Sequence, residues 1–224
     1  MKTFISTLSF LLIISFAFPQ ESNSEVRYLF QGQNNLSVSG FGGFSSYFGM
    51  AKGNASSYSG GGGAVLFDYK FFVGAFGMGL SQMNSYANVR LHQNSDLIDD
   101  LTYSYGVGGM WLGYSFNHQN PIHFAVSLKS GIGSIDVFPR GFEHFDKNIF
   151  TDIVYSFLPE IMLEINMLRW WRLHFQAGYL FTWGIDNKVY YNEANEPKRY
   201  FNKNDFSSPM IGFGMIFGIF GPKK

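Results

Sequence analysis

The side chains of this sequence that could do chemistry together are Glu160, Glu164, Arg172, His174 and Gln176, with Lys129 upstream of them. In extended backbone, side chains two apart share a face, so the two acids form one polar line and Arg172, His174 and Gln176 form another. A hairpin centred near Leu168 sets Glu164 opposite Arg172 and Glu160 opposite Gln176, and the expectation is a Glu164–Arg172 ion pair. Lys129 would join Glu160 or Glu164, because the long connection after it leaves its register open. Such a set either fills an interior as a network of ion pairs and hydrogen bonds or carries protons or ions. The network is the expectation, since a charge removed from water needs a partner.

Other chemistries find less support. His92, His118, His123, His144 and His174 show no metal-ligand spacing, so no metal site is expected, and the absence of cysteine removes thiolate sites and disulfides. Gly60–Gly63 is not a phosphate-binding loop, because Ala64-Val65-Leu66-Phe67 follows it where a Lys-Ser or Lys-Thr pair and a helix would be needed. It reads as relief of crowding where a bent strand passes rings such as Phe41 or Tyr47. Asp96, Asp99 and Asp100 form an acidic trio that could bind calcium, although such a trio is usually only solvated. No cofactor is implied.

The elements that must position these groups are strands. In 172–184, Leu173, Phe175, Ala177, Tyr179, Phe181 and Trp183 oppose Arg172, His174, Gln176, Gly178, Thr182 and Gly184. Segment 152–166 sets Ile153, Tyr155, Phe157, Ile161, Leu163 and Ile165 against Asp152, Ser156, Glu160, Glu164 and Asn166, with a bulge expected at Pro159. Segment 122–134 repeats the scheme, and the last strand opposes Ile211, Phe213, Met215, Phe217 and Ile219 to a mostly small face. Segment 102–116 changes phase, from Tyr103, Tyr105 and Val107 to Met110, Leu112, Tyr114 and Phe116, which predicts a bulge at Gly108 and Gly109. Weaker segments at 36–49, 58–68 and 71–81 bring the strands to eight.

The connections between them alternate. Those near 51–57, 82–101, 135–150 and 185–207 read as long, whereas 68–70, 117–121 and 167–170 are short. Most charges fall in the long ones. Aromatic residues gather at both ends of the strands, with Tyr69, Phe116, Trp170, Trp171 and Phe220 on the short-turn side and Tyr47, Tyr103, Tyr155 and Trp183 on the long-loop side. Two aromatic girdles around an uncharged band suit a bilayer. The chain is 46% apolar, 19% aromatic and 14% charged, with 16 basic and 16 acidic residues. That balance argues against disorder and against nucleic acid as a partner.

Lys2, the apolar run Phe4–Phe18 and the polar exit from Pro19 read as a signal peptide over 1–20, which is short for a membrane helix. A short periplasmic segment, 21–35, would precede a barrel over 36–220 and a tail over 221–224. No later apolar stretch escapes interruption, so a membrane location implies a barrel. The expected fold class is all-β: an eight-stranded antiparallel up-and-down transmembrane β-barrel.

The terminal strand Pro209–Phe220, Gly40-Phe41-Gly42-Gly43, the Gly60–Gly63 run and Phe71-Phe72-Val73-Gly74 carry a resemblance. Together the segments resemble the small eight-stranded outer-membrane barrels of Gram-negative bacteria, of OmpA-like and OmpX-like architecture, and are similar to barrel proteins of Bacteroidota. The chain departs from that pattern by extending through Gly221, Pro222, Lys223 and Lys224. The resemblance implies outer-membrane lipids as surroundings and recognition by the barrel-assembly machinery through Phe213, Phe217 and Phe220. It also implies an extracellular partner of unknown kind for the loops, with a structural or surface role and no enzymatic activity. A lumen of this strand number is too narrow for a general porin. Outer-membrane lipid-modifying enzymes share the architecture, but neither His123 nor His174 lies in a His-x-Ser pair. A soluble periplasmic lipocalin-like barrel is the other alternative, because alternation alone does not say which face points outwards.

Overall fold

A computed structural model describes residues 36–81, 84–86, 89–90, 101–139, 150–186, 188–191, 198–199 and 201–221. The expected signal peptide, the segment 21–35, the tail residues 222–224, the Asp96, Asp99 and Asp100 trio, His92 and His144 lie outside the described residues. Eight strands run antiparallel in chain order: β1 (Val38–Ala51), β2 (Asn54–Phe67), β3 (Phe71–Leu80), β4 (Leu101–Ser115), β5 (Ile122–Pro139), β6 (Phe150–Leu168), β7 (Trp171–Trp183) and β8 (Ser208–Gly218). Each pairs with its neighbour in sequence, and β1 pairs with β8 from Phe41 opposite Gly218 to Phe48 opposite Ile211. The sheet is a closed up-and-down barrel, so none of its strands is left as an edge. Beyond the strands' loop ends, Asn84–Tyr86 extends the pairing of β4, and Val89–Arg90, Lys188–Tyr191 and Lys198–Arg199 form a small ribbon.

Alternation sets the two faces. Phe175, Phe213, Phe124, Ile132, Ile153, Ile161 and Ile211 point outwards and are exposed, while Lys129, Glu160, Glu164, Arg172 and His174 are buried inside. The greasy exterior and charged interior invert the arrangement of a soluble lipocalin-like barrel. On β5 the outward apolar positions give way to Ser134 and Asp136 towards the loop end, where Ser134 and Thr151 both donate to the Asp136 carboxylate.

Three local expectations are corrected. The first connection is a two-residue hairpin turn, not a long loop: Ala51 pairs with Asn54, and Lys52 and Gly53 take the left-handed conformation with φ of 50° and 75°. The Ser- and Gly-rich stretch after it carries Tyr58 as its one bulky side chain before Val65, but its backbone still completes the ladder. β4 carries no bulge at Gly108 and Gly109, since its register with β5 runs unbroken from Leu101 opposite Pro139 to Ser115 opposite Ala125. At Pro159 the register with β7 is also unshifted, with Phe157 opposite Phe181 and Glu160 opposite Gly178; the shift lies between Asn166 and Leu168.

Candidate functional site in the barrel lumen

Every strand delivers its inward residues to one enclosed column, and the acids of β6 organise its turn-side half. Glu164 lies opposite His174 and not Arg172, because the β6–β7 register sits two residues from the expected one. Arg172 nevertheless reaches diagonally, with Nη1 donating to Glu164 Oε2 at 3.0 Å. The same oxygen accepts from Ser115 Oγ at 3.2 Å and lies 2.7 Å from His123 Nε2, while His123 Nδ1 is 3.1 Å from the Asn120 carbonyl. The Arg172 guanidinium sits 4.0 Å from the centre of the Phe220 ring, which is buried across the mouth.

One layer further in, Glu160 Oε2 accepts from Lys129 Nζ and from Ser127 Oγ, each at 2.7 Å, and Oε1 accepts from the Tyr47 hydroxyl at 2.9 Å. Lys129 Nζ also donates to the Tyr47 hydroxyl and lies 4.9 Å from the Trp111 ring centre. Gln176 is buried in the same column, and its amide atoms make no hydrogen bond. Small inward residues of β8 leave the room these groups need. A Cβ on Gly214 would stand 2.6 Å from His174 Nε2, and one on Gly212 would stand 3.1 Å from Gln176 Nε2. Within the Gly60–Gly63 run, Gly62 serves the same purpose for Trp111, which lies 3.3 Å from where a Gly62 Cβ would be.

The loop-side half is filled with rings. Tyr103 and Tyr47, expected among the interface aromatics, are both luminal. Phe201 and Phe206 enter from the last connection; Tyr103 packs edge-on to both, and Tyr105 stacks on Phe206 at 5.5 Å. The segment is tied down on two sides. Thr182 Oγ1 donates to the Phe206 carbonyl at 3.1 Å, and the Lys52 N–H donates to the Asp205 carbonyl at 2.6 Å. Tyr103, Tyr105 and Val107 thus share the inward face with Trp111, which explains the apparent phase change of β4. The lining turns from polar to apolar along the axis, and the register does not shift. Between the halves, a cavity of about 20 Å³ beside Gly60, Gly62, Trp111 and Lys129 has the room of about one water molecule.

Of the other expected interface aromatics, Tyr155 and Trp183 are exposed at the loop end, where Trp183 stacks on Phe181 at 5.9 Å. At the turn end Trp170 stacks on Trp171 and Phe217, and Phe116 packs edge-on to Tyr114. Tyr69 is half-buried and stacked on His118. Phe213 and Phe217 point outwards, but Phe220 turns in beneath Arg172.

Ser115, Ser127, His123 and Tyr47 complete the network, and sequence reasoning did not assign them to it. Ser127 and His123 share the inward phase of Lys129, which was the available signal. Tyr47 Oη meets Glu160 only because the barrel closes β1 onto β8. Ser45 Oγ and His174 Nε2 lie 3.0 Å apart, the spacing of a nucleophile and its base, but the other ring nitrogen has no partner to orient it.

No family model matches the chain, and no curated protein matches it. Among solved structures it is similar to Ail, the attachment invasion locus protein of Yersinia pestis, crystallised with the heparin analogue sucrose octasulfate, at 10% identity and a TM-score of 0.44 over 81% of this chain and 97% of that one. It is also similar to Neisserial surface protein A, at 10% identity and a TM-score of 0.43 over 82% and 99%. The outer membrane protease OmpT of Escherichia coli matches at 7% identity and a TM-score of 0.35 over 84% and 99%.

Proposed function

We propose that this chain is an integral outer-membrane barrel of a Gram-negative bacterium, with a filled, non-conducting interior and a non-enzymatic role carried by its longer connections at the cell surface. The observation that carries this reading is the inversion of polarity: Phe175, Phe213 and their outward neighbours need hydrocarbon, whereas Glu160, Glu164, Lys129 and Arg172 are buried and paired. The Phe201–Phe206 plug and the Glu160 and Glu164 layers block the axis in series, which speaks against a porin. With eight strands, both ends of the barrel lie on the turn side, so the connections after β3, β5 and β7 face outwards if the turns face the periplasm.

In this reading residues 1–20 direct export, and Phe213, Phe217 and Phe220 present the terminal strand to the barrel-assembly machinery. Outer-membrane lipids surround the wall, and the loops meet an external partner. The test is fractionation followed by electrical recording. The chain should sediment with outer membranes, resist extraction by alkaline carbonate and show no step conductance in a planar bilayer. Recovery from the periplasm without detergent overturns the membrane assignment, and a stable open channel overturns the sealed interior.

A further inference from the structure

The turn end of the barrel carries a recess that the luminal network does not use. It holds about 490 Å³ and lies between Lys70 of the β2–β3 turn, the Asn117–Asn120 turn after β4, and the rings of Tyr114 and Phe116. His118 lines it. Only 9% of this residue is exposed, and its buried Nδ1 has no hydrogen-bond partner. The ring is held by its stack on Tyr69, with centres 6.1 Å apart, and the His118 carbonyl accepts from Asn166 Nδ2 at 3.1 Å.

Lys70 carries the one formal charge among the residues lining the recess. Burial first, and then the charges of Lys70, Arg172 and His123, hold the His118 pKa below its ordinary 6.5. None of the residues lining the recess is an acid. Asp68, two residues before Lys70 in the same turn, points its Oδ1 at the Ser37 N–H, from which it accepts a hydrogen bond. The rings on the open side have another character: Tyr114 and Phe116 are 39% and 47% exposed on the outer wall and pack edge-on at 5.0 Å. The recess therefore joins a cationic, donor-rich pocket to an apolar surface.

We propose that this recess binds the phosphate of a membrane glycerophospholipid, with Lys70 Nζ and the side-chain amides of the Asn117–Asn120 turn meeting the phosphate oxygens and an acyl chain lying along Tyr114 and Phe116. The proposal rests on the membrane reading above. A volume of this size suits a headgroup, and interfacial rings beside a cation suit the level where phosphate and hydrocarbon meet.

The test uses the full chain folded in a non-ionic detergent and titrated with dihexanoyl phosphatidylglycerol, reading the unfolding midpoint from gel mobility. The wild type should show a saturable rise. Lys70→Glu should raise the half-saturating concentration at least tenfold, while Lys203→Glu, an exposed charge change at the loop end, should leave it unaltered. An equal rise with inorganic phosphate alone overturns a lipid as the ligand, and wild-type behaviour of Lys70→Glu overturns the site. Should Lys70→Glu fail to fold, Lys70→Gln decides by the same measurement. A chain that needs no detergent to stay in solution refutes the membrane reading, whereas a membrane-embedded barrel without a saturable rise refutes only the lipid site.

Discussion

The two halves of the lumen solve the same problem with opposite chemistry. On the turn side, Glu160 and Glu164 gather Lys129, Arg172, His123, Tyr47 and two serines within hydrogen-bonding distance. On the loop side, Tyr58, Tyr103, Tyr105, Phe201 and Phe206 fill the same bore with rings. The contrast teaches that a barrel of this size can be filled by either chemistry. The polar half specifies its geometry through directional bonds and is costly to leave unpaired, whereas the apolar half depends on shape.

Substitutions can break this contrast in order of severity. Glu160→Leu strands Lys129 and the Tyr47 hydroxyl and should cost about 3–5 kcal/mol, read as a fall in the urea midpoint of the detergent-folded barrel. Phe206→Ala opens a void in the other half and should cost about 3 kcal/mol. Unlike Glu160→Leu, it should leave the salt dependence of unfolding unchanged. Gly214→Val, which crowds His174, should cost about 1–3 kcal/mol. The double change Lys129→Met with Glu160→Leu sharpens the comparison, since removing both charges should recover most of the single-mutant loss. If the two single losses simply add, the pair is not an energetic unit.

The smallest expected effect lies at the turn end, outside the exposed apolar band of the wall. His118 has its pKa lowered from 6.5 by burial and by the neighbouring cations. The folded barrel therefore binds fewer protons there than the unfolded chain, and the contribution is whole above about pH 6.5 and lost as pH falls towards the lowered value. A His118→Gln variant should have a flatter unfolding midpoint between neutral pH and pH 5 than the wild type.

Where the lumen is polar, the strands are legible from sequence. Segments 152–166 and 172–184 alternate cleanly because their inward residues are charged or small and their outward ones bulky, and the inward set Glu160, Glu164, Arg172 and His174 follows from that alone. Where the lumen is apolar, both faces carry rings. Tyr103 then reads as an interface residue and Gly108–Gly109 as a bulge, though the register is straight. The first hairpin is hidden for the opposite reason, since its Ser and Gly residues show no hydrophobic period at all. Non-local partners such as Tyr47 for Glu160 need the closed ring, which no local pattern reports. The Phe201–Phe206 plug lies in a connection, where apolar residues carry no periodic signal.

The plug also bears on the order in which the molecule can be completed. Its rings follow β7 and precede only β8, so a chain emerging from its amino end has nearly all its staves before it has a stopper. Until that connection is in place, the loop-end bore is hollow and Tyr103 and Tyr105 lack their contacts with Phe201 and Phe206. The cork is thus among the last pieces of the bottle to be made.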